Sequence, residues 1–202
     1  QQRGTARVGR LFGPIILLWL SALATLGLIQ VIKNPGIFVS LFPWHGIDFL
    51  IRNKTAGFMV LGAVFLTVTG TEALYADLGH FGIRPIRLTW GVVVMPALVL
   101  NYFGQGALLL EHPEAAHHPF YGLVPSWAFG PMVLLATLST IIASQAVITG
   151  SFSLSRQAIH LGYLPRMQIC HTSAAHMGQI YMPQVNWLLM FCTIGLVLGF
   201  QS

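Results

Sequence analysis

The chain has 202 residues, of which 55% are hydrophobic and only 7% charged, and its mean hydropathy is +0.73. Soluble domains carry about 25% charged residues, so this composition excludes a soluble protein and indicates an integral membrane protein. Ten Lys and Arg against five acids lie between apolar runs, where they set topology, and no basic patch interleaves with aromatics as nucleic-acid binding would require.

Five apolar runs predict an all-α polytopic membrane protein. The predicted spans cover residues 11–32, 56–80, 86–110, 127–160 and 181–200, and a helix of about 20 residues suffices to cross a bilayer. Residues 37–54 are amphipathic and aromatic but too polar to cross, so we expect an interfacial helix or a re-entrant turn there. Pro96 is expected to bend the third span. Residues 111–126 and 164–178 are predicted loops.

The second span leads into the stretch TGTEALYADLGHFG, residues 69–82, and this places Glu72 and Asp77 at membrane depth. A charge at the bilayer centre costs about 3 to 17 kcal/mol, so an acid there usually has a function. Gly70 between two threonines weakens the helix, and irregular backbone inside a membrane lies only against protein or a water-filled cavity. We therefore predict a helix broken near residues 69–72. The alternative is a continuous helix in which a neighbouring helix satisfies Glu72.

The same stretch offers the oxygen ligands that a hard monovalent cation prefers to sulfur or imidazole. The predicted cation ligands are its hydroxyl groups, together with freed main-chain carbonyls: Thr69, Thr71 and Tyr75. Glu72 is the predicted proton carrier or charge partner of the cation. Asp77 is a secondary candidate, because near the inner end of its span it could equally pair with Arg84 or Arg87 and be structural.

Polar side chains in two later spans add secondary candidates. Asn101 and Gln105 are one helical turn apart in the third span, so they share a face that we expect to point inward. Small polar residues follow one stripe of the fourth span at helical spacing: Thr137, Thr140, Ser144 and Ser151. This stripe is either a helix-packing face or the wall of a cavity, and Ser144 is its candidate cation contact.

The sequence carries no recognisable catalytic constellation. Two groups of residues lack the ligand spacing of a zinc or copper site: His112, His117 and His118, and Cys170, His171 and His176. The sequence has no glycine-rich dinucleotide-binding motif after a predicted strand, and no serine in the strand-to-helix turn of a hydrolase nucleophile. We therefore predict no enzyme, no catalytic residue, no metal site and no cofactor.

The charges between the spans predict the orientation. If the first loop is cytoplasmic, five crossings place seven arginines inside: Arg3, Arg7, Arg10, Arg84, Arg87, Arg156 and Arg166. Three basic residues then lie outside: Lys33, Arg52 and Lys54. Seven against three obeys the positive-inside rule, so we predict a multi-pass protein of the cell membrane whose N-terminal end is cytoplasmic.

Four long motifs cover much of the chain: GTEALYADLGHFG at 70–82, NYFGQGALLL at 101–110, SQAVITGSFSLSRQAIHLGYLPR at 144–166, and HTS at 171–173 followed by GQIYMPQVNW at 178–187. With these motifs the chain resembles the KUP/HAK/KT potassium uptake permeases along nearly its whole length. The resemblance implies a permease of the amino acid-polyamine-organocation superfamily with the two inverted five-helix repeats of the leucine-transporter fold. It also implies uptake of potassium as substrate with a proton as coupling ion, by alternating access around a midplane site.

The resemblance further implies that the chain is a fragment, running from about the fifth helix of the family to the ninth. The segment 56–80 then resembles the sixth helix, one of the two broken ones. The family's functional glutamate maps onto Glu72, and its preceding hydroxyl onto Thr69 or Thr71. The family's first helix, with its GVVYGDIGTSPLY-like stretch, has no counterpart here, nor do its acidic third helix and its soluble C-terminal region. The expected partners are the lipid bilayer, the potassium ion and the rest of the same permease, with a homodimer left open and no nucleic acid.

Two alternatives to potassium uptake stay open. One is a related permease for an amino acid or another cation, which would be favoured if substitution of Glu72 changed affinity for an organic substrate alone. The other is a membrane sensor or scaffold that binds potassium without moving it. Ion binding to the purified protein without flux in vesicles would select that alternative.

Overall fold

A computed structural model of the chain describes residues 6–66, 82–171 and 180–200. The described part is mostly helical, and its elements in chain order are α1 (Ala6–Lys33), a 3₁₀ helix (Pro35–Leu41), α2 (Pro43–Leu66), α3 (Ile83–Thr89), a π-helix (Trp90–Val94), α4 (Met95–Glu111), a 3₁₀ helix (Pro113–His117), α5 (Pro119–Gly122), a 3₁₀ helix (Ser126–Ala128), α6 (Phe129–His160), β1 (Cys170–His171), β2 (Ile180–Tyr181) and α7 (Pro183–Phe200). These residues form two compact units. The first comprises residues 13–66 and 84–139, and the second comprises residues 6–12, 82–83, 140–171 and 180–200.

Three helical stretches in the described part are long and apolar enough to cross a membrane: Leu11–Lys33, Ile83–Glu111 and Ser126–His160. They lie where the sequence predicts the first, third and fourth spans. The predicted fifth span corresponds to α7, whose apolar part is shorter. The predicted second span begins inside α2, and most of its remainder lies outside the described residues. The long apolar helices support an integral membrane protein.

Helices α1 and α4 pack side by side in the first unit and run in the same direction. Leu23 of α1 meets Ala97 near the start of α4, and Val31 meets Ala107 about two and a half turns further on. Contacts that advance together along both helices define a parallel pair, so α1 and α4 end at the same end of the unit. Because α3 and α4 belong to one helical stretch, Ile83–Glu111, α3 lies at the end of the unit opposite to the end of α1.

Two glycines allow the backbones of this pair to touch. A Cβ at Gly27 would fall on the carbonyl oxygen of Leu100 and lie 2.7 Å from the backbone nitrogen of Asn101. A Cβ at Gly104 would fall on the Cα of Gly27 and lie 2.8 Å from its carbonyl oxygen. Small residues permit such close approach between membrane helices, where van der Waals contact drives association. The α1–α4 crossing therefore depends on glycine at both positions.

The third helical stretch is irregular one turn before Pro96. Residues Trp90–Val94 form a π-helix, and the N–H of Met95 donates to the carbonyl of Trp90, five residues back. Proline has no N–H and its ring crowds the carbonyl four residues earlier, so a widened turn relieves the helix at this place. The structure thus shows a π-bulge beside Pro96, and the bend expected there stays a prediction.

Helix α2 contains a sharp break at Lys54, whose φ of 42° and ψ of −112° are not helical. Positive φ is costly for a residue with a side chain, so this backbone divides α2 into two helices. The break lies at the end of the segment 37–54, which the sequence predicts as interfacial. The part of α2 before the break is exposed within the described structure.

The predicted solvent loop over residues 111–126 is exposed at most of its positions, but it is not without helical structure. This segment folds into short helices, and α5 packs back against α1: the ring of Phe120 lies 5.4 Å from that of Trp19, centroid to centroid. Phe120 also packs against the cluster formed by Leu20, Leu23 and Ala97. Burying these aromatic rings against α1 outweighs the polar character of the segment, which carries three histidines.

In the second unit, the C-terminal half of α6 packs against the start of α7. Phe152 and Met182 are the most buried large side chains, at 1% and 0% exposure, and the Phe152 ring meets that of Tyr181 edge-on at 5.9 Å. Strands β1 and β2 pair antiparallel, with Cys170 opposite Tyr181. The expectation of a loop throughout residues 164–178 is therefore wrong at its Cys170–His171 strand, which the pairing holds beside this cluster.

A Phe152→Ala substitution is expected to lower the free energy of unfolding by about 3–5 kcal/mol, because it leaves a cavity where the ring is fully enclosed. The melting temperature of the purified full-length protein measures the effect. Phe58→Ala is the matched control, since the Phe58 side chain is 76% exposed. Equal shifts for the two variants would contradict the assignment of Phe152 to a packed core.

Candidate functional site

The main predicted site residues lie outside the described part of the chain. They are the three proposed hydroxyl ligands and the two acids of the second span: Thr69, Thr71, Tyr75, Glu72 and Asp77. Their roles stay predictions. The described structure approaches the stretch from both sides, through α2, which ends at Leu66, and α3, which begins at Ile83.

Asn101 lies buried in α4 beside the crossing with α1. Its side chain is 6% exposed, and its Oδ1 has no hydrogen-bond partner among the described residues. A buried acceptor without a partner costs about 1–3 kcal/mol, so Asn101 is an expensive choice for packing alone. The free Oδ1 is chemically able to accept from a donor or to ligate a cation.

Gln105 follows Asn101 by one turn on α4 and is half-buried. Between them, Gly104 holds the contact with Gly27. The two amides therefore flank the place where the α1 and α4 backbones meet. Any movement of α1 against α4 would change the surroundings of both.

The hydroxyl stripe of α6 is satisfied within its own helix. Thr137 donates to the carbonyl of Val133 at 2.8 Å, and Ser144 donates to that of Ile141 at 2.7 Å. Ser151 donates in the same way to Val147 at 2.9 Å. A hydroxyl that donates to its own helix keeps its lone pairs for other groups, so these residues remain available as cation ligands. Thr137 and Ser144 are exposed within the described structure.

Sequence analysis did not single out Ser139, which lies on α6 beside this stripe. Ser139 is 6% exposed, and its Oγ has no hydrogen-bond partner in the described part of the chain. Ser139 differs from the stripe residues Thr137 and Ser144 in being buried and in lacking a hydrogen-bond partner for its hydroxyl. No local pattern in the sequence separates it from Thr137 or Thr140.

A second polar feature that the sequence did not predict lies where α1 and α4 end. Gln30, 8% exposed, donates from Nε2 to Oε2 of Glu111 at 3.1 Å. A glutamine in the last turns of an apolar span is the one signal that could have drawn attention to it. Its partner is distant in sequence, so only the parallel packing of α1 and α4 brings the two together.

The described residues contain no group of three His, Cys, Asp or Glu side chains placed to hold a metal ion. The closest approach among the loop histidines is that of the His112 ring to Glu114, with Nδ1 3.0 Å from Oε1. Cys170 is exposed in β1. The described side chains of the two groups weighed in the sequence thus offer at most pairwise contacts.

Comparison with known proteins decides the family. Residues 1–202, the whole chain, match the family described as the K+ potassium transporter integral membrane domain. The chain belongs to this family. The resemblance noted in the sequence motifs is thereby confirmed, and so is an integral membrane protein. No solved structure matches the chain.

Curated relatives of the potassium transporter family cover the chain completely. A probable potassium transport system protein Kup of Chlorobium chlorochromatii is 68% identical over all 202 residues, which are 33% of its own length. The corresponding proteins of Bdellovibrio bacteriovorus and Geobacter sulfurreducens are 60% and 61% identical, over 30% and 32% of their lengths. The chain thus spans about a third of the curated relatives it matches. Their names describe transporters and not enzymes, as the sequence predicts for this chain.

Proposed function

We propose that this chain is the central part of a permease that takes up potassium together with a proton. The observation that carries the proposal is the family match over all 202 residues, at 60–68% identity to proteins named for potassium transport. Identity at this level over the whole chain favours the same substrate. The rest of the permease, the lipid bilayer and the potassium ion are the partners that the proposal requires.

Alternating access in a leucine-transporter-like fold is the proposed mechanism. In such transporters the substrate site lies near the midplane, where broken helices expose main-chain carbonyls to the ion. The stretch 69–82 has the composition of such a break, and the oxygens of Thr69, Thr71 and Tyr75 are its proposed ligands. Glu72 carries the proton or balances the charge of the cation.

The parallel packing of α1 and α4 supports the proposed orientation. It places Arg84 and Arg87, on α3, at the end where α1 begins, and Lys33 at the opposite end. The positive-inside rule assigns the end with more arginines to the cytoplasm. With that assignment the stretch 69–82 descends from outside to inside, so Asp77 lies nearer the cytoplasm than Glu72.

Rubidium uptake by the full-length permease tests the proposal in cells that lack other potassium uptake. Potassium should compete with rubidium for uptake. Rubidium uptake should be faster at acidic than at neutral pH, because an inward proton gradient drives it. A vector without the permease is the control. The ionophore that collapses the proton gradient should abolish the difference between the two pH values.

Three results would contradict the proposal in different ways. Uptake of an amino acid without rubidium uptake would indicate a related permease of another substrate. Rubidium binding to the purified protein without flux in vesicles would indicate a sensor. Uptake that is insensitive to pH and to the ionophore would support potassium transport and contradict its coupling to a proton.

A further inference from the structure

A cleft of about 620 Å³ opens where α1 and α4 end in the first unit. Its apolar wall includes Leu26 of α1 and Val124 of the segment that follows α5. Its polar side is formed by Gln30 and Lys33 from the end of α1 with Glu111 and His112 from the end of α4. We call this the outer cleft, because the proposed orientation places Lys33 outside.

The carboxylate of Glu111 is held in position at the cleft wall. Its Oε2 accepts the 3.1 Å hydrogen bond from the buried Gln30 amide. Because the Gln30 amide is buried, this hydrogen bond fixes the position of the carboxylate that accepts it. The wall therefore presents a positioned carboxylate, a ligand type that binds hard cations.

The backbone makes this wall more negative. Both α1 and α4 end at the cleft, with Lys33 and Glu111 as their last residues. The last carbonyls of a helix are not all paired within it, and they carry the negative end of the helix dipole. Two parallel helices that end together add their dipoles, which favours a cation between their ends.

Lys33 is the cation that the chain itself supplies to the cleft. It stands in the last turn of α1, yet its ammonium makes no ion pair with Glu111 within the part of the chain that the structure describes. Its ammonium stands on a flexible stem at the rim, where its positive charge opposes the entry of another cation to the carboxylate. Lys33 is thus placed as a competitor for the Glu111 carboxylate.

We propose that the outer cleft binds the transported monovalent cation at low affinity before it reaches the central site, with Glu111 as its ligand, Gln30 as the residue that positions Glu111, and Lys33 as an internal competitor. This inference rests on potassium uptake as the proposed function. The open cleft and its single carboxylate suit a weakly held, partly hydrated monovalent ion. A divalent ion would call for more carboxylates than the cleft provides.

The proposal predicts opposite effects of two substitutions on rubidium uptake by the full-length permease. Glu111→Gln should raise KM about fivefold, the factor of one unit charge about 4 Å from the ion in water, and leave the maximal rate unchanged. Lys33→Gln should lower KM, because it removes the competitor. Gln30→Met should raise KM less than Glu111→Gln, because it removes only the orienting hydrogen bond.

Glu114→Gln is the matched control. Glu114 lies three residues from Glu111, and its substitution by glutamine removes the same charge. It is outside the lining of the cleft, and its side chain is 75% exposed. Its own backbone N–H, followed by the ring of His112, holds the pKa of Glu114 below its ordinary value of 4.5. Glu114 is therefore ionised at both assay pH values, and the substitution removes a full charge.

The dependence of KM on ionic strength distinguishes an ion that contacts Glu111 from a general effect of negative surface charge. At high concentrations of N-methylglucamine chloride, exposed charges are screened within a few Å, whereas a ligand in contact with the ion is screened much less. The KM difference between wild type and Glu111→Gln should persist there. Equal KM changes for Glu111→Gln and Glu114→Gln, or a difference that vanishes with salt, would overturn the proposal.

A second measurement does not depend on transport. Potassium should raise the melting temperature of the purified permease above that in N-methylglucamine chloride of equal ionic strength, because a bound ion stabilises the folded state. Glu111→Gln should lose the part of this rise that appears at high potassium, and Glu114→Gln should keep it. An unchanged rise in Glu111→Gln would overturn the outer site. Absence of uptake by the wild type would instead contradict the proposed function.

Discussion

A Gly27→Leu substitution is expected to leave no folded permease in the membrane. The backbones of α1 and α4 touch at this residue, and even a Cβ there would fall on the carbonyl oxygen of Leu100. Overpacking a tight contact costs about 1–3 kcal/mol when side chains can yield, and more when the obstacle is backbone. Gly27→Ala should therefore already destabilise the protein, although alanine is about 1 kcal/mol better than glycine in a helix.

Gly62 provides the control for both variants. It lies in α2, in the same unit, and a Cβ there would meet nothing within 4 Å. Gly62→Ala should be neutral or stabilising because only the helix preference changes, and Gly62→Leu should be tolerated. The yield of monodisperse full-length permease and its melting temperature measure the effect. If the Gly27 and Gly62 variants behaved alike, the close crossing of α1 and α4 would be wrong.

The long helices were predictable because their signal is local. A run of about 20 apolar residues specifies a membrane helix whatever its neighbours are, since a spanning segment must satisfy its own backbone. The first, third and fourth predicted spans agree with helical stretches of the structure to within a few residues. The π-bulge beside Pro96 has an equally local cause, because proline acts on its own helix.

Contacts between distant residues were not predictable. Gly27 and Gly104 look like ordinary small residues of two apolar helices. Nothing in the sequence near either glycine indicates that the two are in contact. The hydrogen bond from Gln30 to Glu111 is hidden for the same reason. The helix pairing that creates both contacts follows from the path of the whole chain and from no single segment.

The segment 111–126 shows how composition misleads. Its prolines, acids and three histidines favour a solvent loop, and no periodic pattern contradicts this. Its aromatic residues nevertheless find partners: Phe120 meets Trp19, and Tyr121 meets Phe129 at 5.4 Å. Burial of rings against an existing helix depends on where that helix lies. The short helices here are therefore a consequence of packing and leave no local signal.

Glu72→Gln is expected to abolish the pH dependence of rubidium uptake and to lower its rate at low rubidium by about 100-fold, the effect of removing one partner of a buried charge pair. The amide keeps the size of the carboxyl but cannot carry a proton or balance a cation. Glu72→Asp keeps the charge and should retain the pH dependence with reduced affinity. Uptake at acidic and neutral pH measures both variants in the full-length permease.

Asp77→Asn separates the two acids of the stretch 69–82. If Asp77 is structural and pairs with Arg84 or Arg87, its amide should lower the amount of folded permease and leave the pH dependence of each remaining molecule intact. Glu72→Gln should do the opposite, with normal amounts of protein that no longer respond to pH. If Glu72→Gln behaved like the wild type, Glu72 would be structural, and the coupling acid would lie in the part of the permease outside this chain.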